Sequence, residues 1–293
     1  MLVQVLIQLA IAVTIMVVLA VGVFAGRRRL FETVDEWRSR VKAMIPITVV
    51  LVSVLLTNSV AREYVPEFSW LRIIRWDLTT TIYDIEGQFI LWLQDLATPE
   101  VTAYFSFIYI YGYVFLLVFP VIAYFLLPNT RPLRELLAAY TFNYTLGLVC
   151  YVFIIAYGPR NMMPELVQAL LYDTYPQYQH LTRQVNRNTN VFPSLHTSLA
   201  ATVAFMAYRT RDVYRGWFWL ALILAVSVAF STMYLGIHWA IDVLAGVVLG
   251  WIAVVLAAAL IGRWSVYDAL AGVSVLERIP GGSRVQSFAR RRE

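Results

Sequence analysis

"STMYLGIHWAIDVLAGVVLGW", residues 231–251, ends one apolar run and begins another, with a histidine and an aspartate in the turn between them. From residue 240 the chain stays apolar to residue 261. That is enough for a helix to cross a hydrocarbon layer of roughly 30 Å, a task that takes about 20 residues. The same template fits residues 2–25, 43–60, 102–127, 136–157, 194–208 and 217–235. The chain has 293 residues, of which 60% are hydrophobic and 14% charged, and its mean hydropathy is +0.67. It is too apolar for a soluble domain of this size. The fold class expected is all-α, a polytopic membrane bundle of about seven transmembrane helices with further helices in the outer interface.

The basic residues orient this bundle. Arg27, Arg28, Arg29, Arg38, Arg40 and Lys42 follow the first helix, Arg131 and Arg134 the third, Arg209, Arg211 and Arg215 the fifth, and Arg263 with residues 290–292 the seventh. All four groups fall on one side, which the positive-inside rule makes cytoplasmic. The N-terminus is then outside and the C-terminus inside. The first segment has no positive residue ahead of it and is longer than a signal-peptide core, so it reads as a retained anchor. The formal charge of +5 follows from this topology and calls for no nucleic-acid partner. Cys150 is the only cysteine, so no disulfide or thiolate metal site can be argued.

With no linker or repeat visible, the organisation expected is residues 1–60 as N-terminal transmembrane helices, 61–100 as an extracytoplasmic interfacial segment, 101–262 as a catalytic helix bundle and 263–293 as a cytoplasmic basic tail. In the interfacial segment Leu71, Ile74 and Leu78, then Ile85, Phe89, Trp92, Leu93 and Leu96, recur at spacings of three and four, predicting one or two helices lying in the outer interface. In the second outer loop, 158–192, Arg160, Arg183 and Arg187 break the charge pattern. A long loop tolerates such charges; an outer anion site would use them.

Ionisable groups at membrane depth are costly and mark functional candidates. His196 and His238 both lie at outer helix ends. Asp242 follows His238 by four residues, on the same helix face, so its carboxylate can hold one imidazole nitrogen and leave the other as a nucleophile. In "FPSLHTSLA", residues 192–200, Pro193 suits a first helical turn. Ser194, Leu195 and His196 then follow with unpaired N–H groups, an anion site to which the Ser194 hydroxyl adds a donor. His180 reads as solvent-facing, Arg209, Arg211 and Arg215 as topology determinants, and Tyr104, Tyr109, Tyr111 and Tyr113 as interface or packing residues.

"PSLH" at 193–196 with "STMYLGIHWAID" at 231–242 resembles the second and third signatures of the type 2 phosphatidic acid phosphatase superfamily. Within it, "FPSLH" and "STMYL", with His238, Asp242, Ala245 and Gly246, are most similar to the fungal inositol phosphorylceramide synthases. The resemblance implies a phosphohistidine mechanism needing no metal or cofactor. His238 would attack phosphorus, Asp242 would orient it, and His196 would serve as acid and then base. The candidate phosphate-binding residues are Ser194, Arg160, Arg183, Arg187, Ser231 and Thr232. Two departures stand out: Thr232 occupies the place of an arginine, and the first signature's lysine and Arg-Pro are replaced by Tyr151 and Gly158-Pro159. Fewer cations suit a singly charged diester better than a monoester of charge about −1.5 to −2.

Three functions therefore compete. One is transfer of a phosphorus-linked headgroup between membrane lipids and a hydroxyl acceptor on the outer leaflet. Another is a lipid-phosphate phosphatase, with water as acceptor. The third is a transporter or scaffold, which a wide separation of the two histidines would favour.

Overall fold

The computed structural model describes residues 2–64, 75–179 and 190–261. The expected Arg183, Arg187 and His180, and the tail 263–293, lie outside the described residues. α1 (Leu2–Ala20) passes through a π turn, Val21–Ala25, into α2 (Gly26–Tyr64). Then come the two-residue strand β1 (Trp76–Asp77), α3 (Thr79–Glu86) and α4 (Phe89–Gln94). α5 (Pro99–Phe107) continues through a second π turn, Ile108–Gly112, into α6 (Tyr113–Phe125). α7 (Arg131–Phe153) leads to β2 (Ile154–Ile155), α8 (Pro159–Met162) and α9 (Leu170–Thr174). α10 (Leu195–Arg209), α11 (Arg215–Tyr234) and α12 (Ala240–Leu260) complete the bundle.

Among the described residues, six helices are long and apolar enough to cross a membrane. The segment expected as a further span, α10, has only 15 residues and measures about 22 Å, a short helix that still runs from the histidine end to Arg209 at the basic end. Protein surrounds it: Leu199, Ala200, Val203, Met206 and Ala207 are all buried. A correction concerns residues 26–42, expected as a loop before a helix starting at 43. They are the first half of α2, because Arg28 pairs with Glu32 and Arg40 with Glu36 one helical turn apart, which supports helix through a polar stretch.

α12 lies against α10 along Gly246 and Gly250. A Cβ at either position would stand 2.6 Å from a main-chain oxygen, that of Ser194 or of Ser198. Small residues four apart let two membrane helices meet backbone to backbone. This contact brings the start of α12 beside the start of α10. Asn143 on α7 completes the grip at membrane depth, donating to Thr202 Oγ1 (2.7 Å) and accepting from the Ser198 hydroxyl on α10.

The arginines that the charge count put on one side gather at one end of the bundle. Glu135 accepts from Arg131 (2.6 Å) and Arg209 (3.1 Å), the buried Arg40 donates to the Phe125 carbonyl (3.0 Å), and the Arg29 guanidinium lies 4.6 Å over the Tyr214 ring. The opposite end carries both histidines. There β1 pairs in parallel with β2, Trp76 against Ile154 and Asp77 against Ile155. α3 and α4 turn on Gly87 (φ +54°) and leave Ile85, Phe89, Trp92 and Leu96 exposed.

Candidate active site

Three helix ends build the site. α11 ends at Tyr234, and Gly236, with φ +69°, turns the chain so that the Thr232 carbonyl accepts from both Ile237 N (3.0 Å) and His238 N (3.1 Å). A Cβ at Gly236 would sit 2.6 Å from Val167. Glycine satisfies both the positive φ and the close approach. His238 is thus held on a fixed backbone, buried at 3% exposure.

Asp242, in the first turn of α12, is fully buried. Its Oδ2 accepts from Trp239 N (2.9 Å) and stands 3.5 Å from His238 Nδ1. That separation is at the outer limit of a hydrogen bond, and neither His238 Nδ1 nor Asp242 Oδ1 has a hydrogen-bond partner among the described residues. Catalytic contacts of this kind often tighten only with a substrate present. Because Nδ1 is the nitrogen on the carboxylate side, Nε2 is the one left for chemistry.

His196, one residue inside α10, keeps part of its surface open. Its ring centroid lies 6.4 Å from that of His238. Two tyrosines flank it: Tyr109 is stacked at 4.9 Å and 26°, and Tyr113 tilted at 4.6 Å and 43°. Sequence reasoning gave both to packing. Their i, i+4 spacing was visible, but the π turn that presents them was not, and such turns are frequent at functional sites. The other two tyrosines do pack elsewhere: Tyr104 bonds Ser227 and Tyr111 bonds Tyr178.

The hydroxyls expected to hold phosphate are engaged. Ser194 Oγ caps α10 by accepting from Thr197 N (3.4 Å), and its proton goes to Thr197 Oγ1 (3.0 Å). Ser231 donates to the Val228 carbonyl (2.7 Å) and Thr232 to that of Ala229 (2.8 Å). The Ser194 N–H, expected to be unpaired, donates to the Asp242 carbonyl (3.0 Å). This bond ties the starts of α10 and α12 together.

Arg160 is the described member of the arginine trio. Its main-chain N–H reaches the Gly236 carbonyl (3.2 Å), so it sits beside the His238 turn. Its guanidinium lies 4.8 Å over Tyr172, and Nη1 is buried with no partner among the described residues. A cation with an uncommitted buried donor suits an anion. Tyr151, in the place of the first signature's lysine, gives its hydroxyl to the Pro193 carbonyl (3.3 Å).

A model of the PAP2 superfamily matches residues 71–256. The chain belongs to the PAP2 superfamily. It is also similar to the bacitracin transport permease protein BcrC of Bacillus licheniformis, 28% identical over 137 residues, which cover 41% of this chain and 66% of that one. The match therefore spans just under two thirds of this curated relative. No solved structure matches. The superfamily match begins at residue 71, so it takes in much of residues 61–100 as well as the helices that carry both histidines.

Proposed function

We propose that this membrane protein is an enzyme that moves a phosphorus-linked group from a lipid donor to a hydroxyl acceptor, in two displacements at phosphorus. The observation that supports it is the pairing of His196 and His238 at 6.4 Å with Asp242 behind the second. Reacting atoms start about 3–3.5 Å apart, so the gap is of the order of one phosphate group. A transport passage, which the Bacillus relative's name would suggest, needs no carboxylate behind one imidazole.

In the first displacement His238 Nε2 forms a bond to phosphorus, and the bond from phosphorus to the leaving oxygen breaks. Protonated His196 gives its proton to that oxygen. Asp242 holds the Nδ1 proton and offsets the positive charge that His238 gains. In the second, neutral His196 takes the proton of the incoming hydroxyl, whose oxygen attacks phosphorus as the P–N bond breaks. Both histidines are thereby restored. Arg160, with Arg183 and Arg187, supplies positive charge to the phosphate oxygens. Ser194, Ser231 and Thr232 serve by fixing the backbone beneath the histidines.

Thr232 in place of an arginine favours a diester donor and an alcohol acceptor, with an inositol-bearing headgroup the first to supply. The uncommitted Nη1 of Arg160 favours the second reading, in which a monoester is hydrolysed by water. Oriented by the arginines at the opposite end, the site opens to the outer leaflet. Purified protein in lipid vesicles, given labelled phospholipids with and without candidate alcohols, separates these readings by product mass. Products that require the alcohol support transfer, inorganic phosphate formed in water alone supports hydrolysis, and neither product refutes both.

A further inference from the structure

We propose that Glu86 is a positioning residue that keeps Asp242 available to His238; the proposal rests on the reading of His238 as nucleophile. Glu86 is the last residue of α3, far in sequence from the catalytic turn. Its Oε2 accepts from Ala240 N (2.8 Å) and its Oε1 from Ile241 N (2.5 Å). Asp242 itself accepts from the preceding Trp239 N (2.9 Å). Three successive N–H groups at the start of α12 are thus taken up by two carboxylates.

The consequence concerns competition. A helix start presents unpaired N–H groups that draw the nearest acceptor. Without Glu86, the N–H groups of Ala240 and Ile241 would be left with Asp242 as the carboxylate of the same turn. Its Oδ1, which has no partner among the described residues, would be drawn toward them, turning the carboxylate and carrying Oδ2 away from His238. Glu86 removes that competition from outside the catalytic helices.

α3 is fixed firmly enough to do this. Leu78 N donates to the Ile155 carbonyl (2.8 Å), Thr79 N to Asp77 Oδ1 (2.9 Å) and Tyr157 N to Thr79 Oγ1 (3.1 Å). The Tyr83 ring meets Trp239 edge-on at 6.2 Å, and the Trp239 indole donates to the Tyr157 carbonyl (2.9 Å). Burial, and then the nearby charge of Asp242, push the Glu86 carboxyl up from the ordinary carboxylate range against the pull of the two N–H groups. A second carboxylate beside Asp242 is a costly choice for a cap that serves stability alone.

The test compares wild type, Glu86→Gln, Glu86→Ala, His238→Gln and, as a control, the exposed Glu100→Gln, in lipid vesicles. The probes are short-chain phosphatidylinositol with an added alcohol and short-chain phosphatidic acid. Glu86→Gln is expected to lower kcat about tenfold, the scale of a lost cap, with KM unchanged and Tm no lower than wild type. Glu86→Ala is expected to lose at least as much kcat, and Glu100→Gln nothing. Independently of turnover, 15N-histidine NMR, with the His238 signal assigned by its loss in His238→Gln, should show the Nδ1–H form of His238 depleted in Glu86→Gln. An unchanged histidine spectrum, a wild-type kcat, or a kcat loss that merely follows a lower Tm in Glu86→Gln overturns the proposal. Wild-type turnover in His238→Gln instead overturns the nucleophile reading, whatever Glu86 does.

Discussion

Glu135 and Asp242 are both buried carboxylates on long apolar helices, at 4% and 0% exposure, and their surroundings are opposite. Glu135, in the first turns of α7, has an arginine on each oxygen, and the bond from Arg209 ties α7 to α10 at the basic end. Asp242, at the other end, has a main-chain N–H on one oxygen and no partner among the described residues on the other. His238 Nδ1, beside it, and Arg160 Nη1, on a residue whose main chain bonds the same turn, are likewise buried with no partner among the described residues. Leaving buried polar atoms unpaired costs stability, so of these two carboxylates Asp242 is the costlier, as a group kept available for a ligand would be.

Five variants set this contrast at risk, beginning with the largest expected effect. His238→Gln should lower turnover by about 10³-fold or more with thermal unfolding in lipid unchanged; retained activity would remove the nucleophile and, with it, the chemical meaning of the unpaired end. Replacing Tyr109 and Tyr113 together by Leu takes away two ring faces that favour the protonated form of His196, so kcat should fall about tenfold, in keeping with a cation–π contribution of 1–2 kcal/mol. The double Phe variant keeps those faces and should stay within about threefold of wild type, and a Phe variant as poor as the Leu one would refute the ring-face argument.

Glu135→Gln probes the paired end. It should cost about 1–3 kcal/mol of stability, because both arginine partners are half exposed and the full penalty of a broken buried pair is screened. The kcat of the folded protein should not change, and a kinetic loss at constant folded fraction would show that the basic end contributes to catalysis.

The smallest effect is a pH dependence. A carboxyl whose folded-state pKa is raised binds its proton more tightly in the fold, so its contribution to stability is present below the ordinary value of 4.5 and is lost as pH rises through the raised one. Glu86→Gln does not suffer that loss. Its Tm relative to wild type should therefore rise between pH 4 and pH 7, by about 2 °C or less for a half-exposed group. Parallel melting curves at the two pH values would show that Glu86 titrates in the fold as it does in the unfolded chain.

The sequence by itself determined the membrane class and the approximate course of the long helices, and it singled out His196, His238 and Asp242 as candidates. Apolar runs and the i, i+4 relation are local properties, read from neighbours along the chain. Tertiary structure decided what depends on partners far along it. α10 has the composition of a span, but its short length and its enclosure by protein depend on the helices packed around it. Ser194, Ser231 and Thr232 spend their hydroxyl protons on nearby groups in their own helices, which residue type alone does not disclose. A π turn aims Tyr109 and Tyr113 at His196, and Glu86 reaches the start of α12 only because a two-residue strand pairing and Gly87 bring α3 there. Each of these is a contact between segments that hydropathy treats as independent, and it exists only once the helices have packed.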